Sequence, residues 1–282
     1  MAKRNTKTGD GSSGNPNPGA GSQNQEGSSG TGGGLISAVV RVFSILETLS
    51  TKKSINLEHL SQETGLAKPT VYRFLNTLRE LGYVHRDEND QYFPTLKMFS
   101  IGSRILDHMD LPSITRPIAQ GLSDRLGETV HLGVREGDEA IYLVKIESKY
   151  TLRMYSQVGK KIPLYCTAIG KSLLAGQASG EVDAYLERTR LIPFTPHTIT
   201  DARAFHQELD RVRDQHSSQD REEHEEGIRC IASPILDHRG STVAAMSVSW
   251  PVFRFDNARE AEYVGLVRDA AKEISRILGA QI

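Results

Sequence analysis

Asn56-Leu57-Glu58-His59-Leu60-Ser61-Gln62-Glu63-Thr64-Gly65, followed after Leu66 and Ala67 by Lys68-Pro69-Thr70-Val71-Tyr72-Arg73-Phe74-Leu75-Asn76-Thr77-Leu78, decides how the chain is read. Asn56 is a capping residue ahead of a short helix, and Gly65 suits the left-handed position that ends one. A second helix runs from about Lys68 to Leu81 and closes at Gly82. Pro69 sits in its first turn, where a missing N–H does no harm. Tyr83-Val84-His85-Arg86, the polar turn Asp87-Glu88-Asn89-Asp90 and Gln91-Tyr92-Phe93 then have the pattern of a β-hairpin. Helix, tight turn, helix and wing make a winged helix-turn-helix, which places its second helix in a DNA major groove.

Side-chain placement has to carry the DNA reading, because charge does not. The net charge is −1, and between Ile36 and Thr95 seven basic residues are matched by seven acidic ones. Val71, Phe74, Leu75 and Leu78 form the inward face of the helix that follows Gly65. Lys68, Thr70, Tyr72, Arg73, Asn76 and Thr77 are left on or near its outward face. Arg73 and Asn76 have the side chains for bidentate readout of guanine and adenine. Lys68, Thr70 and Tyr72 suit phosphates or a thymine methyl, Pro69 lies among them, and Arg86 in the wing is a candidate phosphate or minor-groove contact. The other reading of such a face is a solvated polar surface; the helix, turn and wing in register favour DNA.

At 282 residues the chain has room for about two domains. Residues 1–34 hold ten of the 25 glycines with almost no apolar residues, which predicts a disordered tail. Lys3, Arg4 and Lys7 in it are candidates for brushing DNA phosphates. Leu35 to Leu49 reads as a helix whose buried face is Val39, Phe43, Leu46 and Leu49. Residues 35–95 therefore form the DNA-binding domain. Residues 96–112 form a linker helix with Met98, Ile101, Ile105 and Leu106 apolar, ended by Leu111-Pro112. Residues 113–282 alternate helices and strands. Strands are expected at Glu128–Val134, Glu139–Glu147, Thr151–Val158, Gly227–Leu236 and Thr242–Trp250. Helices are expected at Ile114–Leu126, Ala168–Ala175, Gly180–Arg188, Ala202–Gln215 and Ala258–Leu278. Hairpins in mixed order imply a mainly antiparallel sheet packed by helices, an α+β fold.

Composition narrows the function classes. No apolar run is long enough to span a bilayer, and no apolar core follows the basic residues at the start, so neither membrane insertion nor secretion is expected and the cytoplasm is the simplest compartment. Cys166 and Cys230 make no disulfide framework, and no metal-ligand spacing accompanies them, so no metal or cofactor is expected. In Tyr165-Cys166-Thr167-Ala168-Ile169-Gly170-Lys171, Thr167 caps a helix whose free N–H groups make an anion site, or an ordinary capped helix. Asp220-Arg221-Glu222-Glu223-His224-Glu225-Glu226 is an acid-rich loop leading into a strand, where Arg229 is placed to clamp a carboxylate. Ser247 and Ser249 share one strand face and offer hydroxyls to a polar ligand. An enzyme using Cys166 as nucleophile and His131 as base is the alternative. No orienting third group is identifiable, and Glu222 and Glu223, being adjacent, point apart on a strand, so no catalytic residue is expected.

From about residue 35 to 280 the chain resembles the IclR family of bacterial transcriptional regulators. The resemblance rests on Lys68-Pro69-Thr70-Val71-Tyr72-Arg73-Phe74-Leu75, Glu128-Thr129-Val130-His131-Leu132-Gly133, Leu152-Arg153-Met154-Tyr155-Ser156 with Pro163-Leu164-Tyr165, Thr167-Ala168-Ile169-Gly170-Lys171 and Glu225-Glu226-Gly227-Ile228-Arg229-Cys230-Ile231-Ala232. It implies a C-terminal effector domain with a GAF-like sheet, and homodimers, often paired as homotetramers, on palindromic double-stranded operators. Carried onto matching positions, it implies an effector pocket lined by Met154, Ile162, Ala168, Ile169, Asp220, Cys230, Ser247 and Ser249. The residue reading adds Arg229 and His131. The implied function is a ligand-responsive repressor sensing a small carboxylate such as 2-keto-3-deoxygluconate, or an aromatic or other organic acid.

Overall fold

The computed structural model describes residues 35–106 and 110–282, without the side chains of 103–106. The expected tail with Lys3, Arg4 and Lys7 lies outside the described residues, as do the side chains of Ile105 and Leu106 and residues 107–109 of the expected linker helix. The chain divides into two compact units between Gly102 and Ser103.

In the first unit, helix α1 (Ser37–Ser50) packs through Ile45, Leu46 and Leu49. A two-residue strand, β1 (Ile55–Asn56), leads into α2 (Leu57–Thr64). The Asn56 side chain caps α2 by accepting the His59 N–H at 2.9 Å, and Gly65 ends it in the left-handed region at φ +67°. Helix α3 (Lys68–Glu80) starts at Ala67, which offers no side-chain cap, so Pro69 in the first turn is what favours initiation there. Val71, Leu75 and Leu78 face inward beside the half-buried Phe74. Strands β2 (Val84–Arg86) and β3 (Gln91–Pro94) pair antiparallel with Arg86 opposite Tyr92. In their turn the Asp87 carboxylate accepts the N–H groups of Asn89 and Gln91 at 2.9 and 2.8 Å. β1 adds itself to the other edge of β3, pairing Ile55 with Tyr92, a third strand that the sequence reading lacks. Each fully buried side chain such as Leu60 or Leu75 contributes roughly 1.5–3 kcal/mol to this small core.

One expectation here is corrected. Val39 and Phe43 are about half exposed, with Leu35, Ile36 and Val40 exposed beside them. Periodicity identifies an apolar face, but within this unit only the C-terminal half of α1 has a core to enter. Met98 and Ile101 of α4 (Leu96–Leu106) are exposed as well.

The second unit opens with α5 (Leu111–Leu126). Leu111-Pro112 begins this helix instead of ending the one before: Asp110 caps it by accepting the Ser113 N–H at 3.1 Å, and Pro112 occupies the first turn. Then come β4 (Thr129–Glu136), β5 (Glu139–Ile146), β6 (Lys161–Pro163), α6 (Ala168–Ala175), α7 (Ser179–Arg188), α8 (Ala202–Gln215), β7 (Ser218–Arg221), β8 (Ile228–Leu236), β9 (Thr242–Pro251) and, after two short 3₁₀ turns, α9 (Glu260–Ile277). The strands form one antiparallel sheet in the order β6-β5-β4-β9-β8-β7.

Strand alternation divides this unit into layers. Val130, Leu132, Met246, Val248 and Trp250 face α5 and α9 and form one core with Val267, Ala271 and Ile274. Ala140, Ala232 and Ala245 face α6 and join Ile169, Leu173, Phe205 and Leu209 in a second. The expected strand Thr151–Val158 is an irregular segment, and β6 takes the sheet edge in its place. The Lys145 ammonium holds that segment by donating to the carbonyls of Met154 and Ser156 at 3.0 and 2.6 Å, so side-chain bonds replace a ladder. Conversely, Ser218–Arg221 reads as polar loop but is an edge strand, held by bonds from inside the fold: Ser218 Oγ donates to the Ala168 carbonyl at 2.6 Å and the Gln219 amide to Glu260 at 2.8 Å.

Helix α6 approaches the chain before it unusually closely. A Cβ on Gly170 would lie 2.2 Å from the Leu164 carbonyl oxygen and 2.3 Å from its Cα, both backbone atoms. Gly170→Ala should destabilise the protein by about 1–3 kcal/mol or more through overpacking. Gly180→Ala, where a Cβ meets nothing within 4 Å, serves as the control. Thermal unfolding checks this, and equal melting temperatures for the two variants would contradict it.

Candidate functional site

The outward face of α3 carries Lys68, Pro69, Tyr72 and Arg73 exposed, with Thr70 and Asn76 half-buried. Thr70, Arg73, Phe74, Asn76 and Thr77 line a concavity of about 400 Å³ together with Arg41 of α1. Arg41 was missed by the sequence reading because it reaches this face only through helix packing. Among the described residues Arg73 has no ion-pair partner, and Asn76 Oδ1 has no hydrogen-bond partner. Two other candidates are held by carboxylates. The Lys68 ammonium pairs with Glu58 and lowers its pKa, chiefly through their hydrogen bond. Arg86 Nη2 lies 2.5 Å from Asp90 and its guanidinium sits 5.7 Å from the Tyr92 ring centre. Both pairs are solvent-accessible, and such pairs contribute little, so phosphates can replace the carboxylates cheaply.

The second site is a cavity of about 380 Å³ in the other unit, on the α6 side of the sheet. Strand register builds its floor: Asp220, Cys230 and Ser249 are direct neighbours across β7, β8 and β9, and Ser247 stands opposite His131 of β4. Met154, Ile162, Ala168, Ile169, Asp220, Cys230, Ser247 and Ser249 all line the cavity, as does His131. Arg229 does not. Being adjacent to Cys230 on a strand it points to the opposite face, where it bonds Asn257 at 2.5 Å and Glu260 at 2.9 Å and lies 3.9 Å from the Phe255 ring centre. The expected carboxylate clamp is thus a tie to the start of α9.

Other lining residues were not singled out from sequence: Arg153, Tyr155, Ser156, Lys160, His224 and Phe253. Arg153 is exposed at the wall and, among the described residues, has no ion-pair partner. The quoted stretch Leu152–Ser156 contained it, but misreading that stretch as a strand hid its direction. At the helix start, Thr167 Oγ1 accepts the Gly170 N–H at 3.1 Å. The N–H groups of Ala168 and Ile169 have no intrahelical acceptor, as first-turn groups must, and both residues face the cavity.

Burial governs the ionisable groups here. His131 stacks on Tyr142 with ring centres 4.5 Å apart and bonds Ser156 Oγ at 2.8 Å. Burial, with the nearby Lys145 charge, holds its pKa down at about 3, so the imidazole is neutral. Burial pushes the Cys230 thiol up, and its Sγ bonds Ser249 Oγ at 3.1 Å. Lys171 is fully buried between Glu223 at 2.5 Å and Glu208 at 3.1 Å, and Arg211 grips Glu208 through two further bonds. Asp220 Oδ1 accepts the Glu223 N–H at 2.7 Å; burial first, then the Glu223 charge, raise its carboxyl to about 7. Cys166 is fully buried, is not among the cavity's lining residues, and has a thiol held protonated by burial. A cavity with unpaired N–H groups and a cation on one wall and hydroxyls on its floor suits a small hydroxylated anion.

Comparison with known proteins identifies the domain in each unit. The IclR helix-turn-helix domain model matches residues 38–88, and the model of the bacterial transcriptional regulator IclR C-terminal matches residues 103–276. The chain is 43% identical over 245 residues to the HTH-type transcriptional regulator KdgR of Escherichia coli K12, covering 86% of this chain and 93% of that one. It is 41% identical to KdgR of Dickeya chrysanthemi, covering 86% and 80%. Among solved structures, Thermotoga maritima IclR superposes with a TM-score of 0.59 at 33% identity, covering 86% of this chain and 99% of that one. The C-terminal domain of E. coli KdgR superposes with a TM-score of 0.56 at 40% identity, covering 61% and 99%. With a winged helix-turn-helix matched in one unit and the C-terminal domain matched in the other, the chain belongs to the IclR family of DNA-binding transcriptional regulators.

Proposed function

We propose that this protein is a cytoplasmic repressor that reads a palindromic operator as a homodimer and responds to a sugar acid, 2-keto-3-deoxygluconate. The observation that carries the sensing half is the single cavity in which Asp220, Cys230, Ser247, Ser249 and the α6 N-terminus converge. Its hydroxyls and unpaired N–H groups match a hydroxylated carboxylate better than an aromatic acid, and the 43% identity to a KdgR supports the same choice. In the DNA half, Arg73 and Asn76 read bases while Lys68, Thr70, Tyr72 and Arg86 hold phosphates. The exposed apolar residues of α1 and α4, among them Val39, Phe43, Leu96 and Phe99, are available to a second copy. Ligand affinity that differs between two arrangements of the dimer shifts operator affinity. Cys166 takes no part: a buried, protonated thiol is no nucleophile.

Arg73→Ala should weaken binding to the selected operator by about 1–3 kcal/mol and relax sequence preference, leaving ligand response intact. Selection of bound DNA followed by gel shift measures this, and unchanged operator affinity would remove Arg73 from base readout. In a thermal-shift panel of sugar acids and aromatic acids, 2-keto-3-deoxygluconate should raise the melting temperature by an amount that keeps growing with the logarithm of its concentration above Kd. A shift given by aromatic acids alone would overturn the effector assignment. Cys166→Ser should leave operator binding and ligand response unchanged, and loss of either would reopen a role for the thiol.

A further inference from the structure

The Asp220 carboxyl stands in a cavity that, on the reading above, receives an anion. It is 4% exposed and lines the cavity wall. Its Oδ1 is taken up by the backbone N–H groups of Glu223 at 2.7 Å and His224 at 3.4 Å. No counter-charge is left for it. Lys171, the cation whose charge acts on it, is already shared by Glu223 and Glu208, and Arg211 is clamped to Glu208. Lys171 and Arg211 thus balance Glu223 and Glu208 among themselves. The remaining cations of the cavity, Arg153 and Lys160, stand on the loop wall, where an incoming carboxylate would use them. An ionised Asp220 would repel an anion bound beside it.

We propose that the effector acid binds together with a proton held on Asp220, so that the Asp220 carboxyl donates a hydrogen bond to a ligand oxygen instead of repelling it. The inference rests on the cavity being the effector site, and it adds that occupancy is coupled to proton uptake. Burial keeps the Cys166 and Cys230 thiols and the Tyr142 phenol protonated. Burial holds His131 down at about 3, so that imidazole is neutral, and burial lowers His224 as well. Burial also raises Glu223, whose charged form is opposed less strongly because it bonds Lys171. A sugar acid is itself fully ionised above about pH 5. Asp220, raised to about 7, falls within this window.

The sign follows. Below the raised value Asp220 is neutral and the site accepts the acid; above it, binding must first take up a proton. The dissociation constant of 2-keto-3-deoxygluconate, measured by calorimetry on the full-length protein, should be about tenfold weaker at pH 8 than at pH 6. At pH 8 the binding enthalpy should differ between phosphate and Tris buffers by the amount that uptake of one proton requires. Asp220→Asn, which keeps the Oδ1 acceptor and cannot ionise, should bind equally at both pH values, and His224→Asn should keep the wild-type step. Equal wild-type affinity at pH 6 and 8, or a step that vanishes in His224→Asn and persists in Asp220→Asn, overturns the proposal. A ligand-free arm separates it from the effector assignment. Because the folded-state carboxyl is raised, its stabilisation is present at low pH and lost as pH rises through about 7. Wild type should therefore lose melting temperature relative to Asp220→Asn between pH 5 and pH 8. If the sugar acid binds at neither pH, the effector assignment falls. The unfolding arm then decides the proton assignment: a pH-independent difference between the two proteins overturns it.

Discussion

Lys171 is the point from which the cavity beside α6 is organised. Its side chain leaves α6, one turn beyond the capping Thr167, and is wholly enclosed. Glu223, from the turn between β7 and β8, and Glu208, from α8, meet it from two sides. Such a charge is tolerable only while both carboxylates stay in place, since breaking a buried pair by removing one partner costs about 3–5 kcal/mol. That penalty joins three elements that no continuous strand or helix connects. It fixes the start of α6, with its unpaired N–H groups, against the turn whose backbone N–H groups hold Asp220. Gly170 allows the same helix start to press onto the Leu164 backbone. The cavity's polar end is therefore set by one enclosed ammonium and one missing side chain.

The sheet supplies the other constraint. β4 and β9 are buried on both faces, so their alternation must satisfy two environments at once. Val130, Leu132, Met246 and Val248 feed the core beneath α5 and α9. His131, Ser247 and Ser249 are the alternate residues and reach the cavity. A polar residue at any of these positions is compatible with folding only because the cavity face is not a packed core. A register shift of one residue would place the serines under α9 and empty the cavity of hydroxyls.

How much of this could be read from residues alone follows from the range of the signals. The helix–turn–helix and wing were readable because each signal is local: Asn56 caps, Gly65 turns left-handed, and Val71, Leu75 and Leu78 recur at helical spacing. The burial of Val39 and Phe43 was misread because periodicity marks an apolar face without saying what covers it. Thr151–Val158 alternates like a strand, but Lys145 satisfies its carbonyls and the ladder never forms. Ser218–Arg221 hid as a strand because its buried hydroxyl and amide nitrogen are paired by distant groups, Ala168 and Glu260. Arg229 was separable from Cys230 by strand parity alone, and only its neighbours across 3₁₀ turns show what it holds. Arg41 and Arg153 reach their sites through tertiary packing, for which sequence spacing carries no signal.

The two units handle charge in opposite ways, and the difference matches what each must meet. On α3 and the wing, Lys68 and Arg86 are paired with Glu58 and Asp90 in solvent, where an ion pair is worth little and salt screens it. A phosphate can displace such a carboxylate at small cost, which suits a surface that must associate with and leave a polyanion. Beside the cavity, Lys171 and its carboxylates are enclosed, and exchange there would strand a charge. What the cavity itself presents is the start of α6, the serine hydroxyls, Arg153 and Lys160, and the carboxyls of Asp220 and Glu225. Polar groups left unpaired in such a space penalise a mismatch far more than a missing apolar contact would.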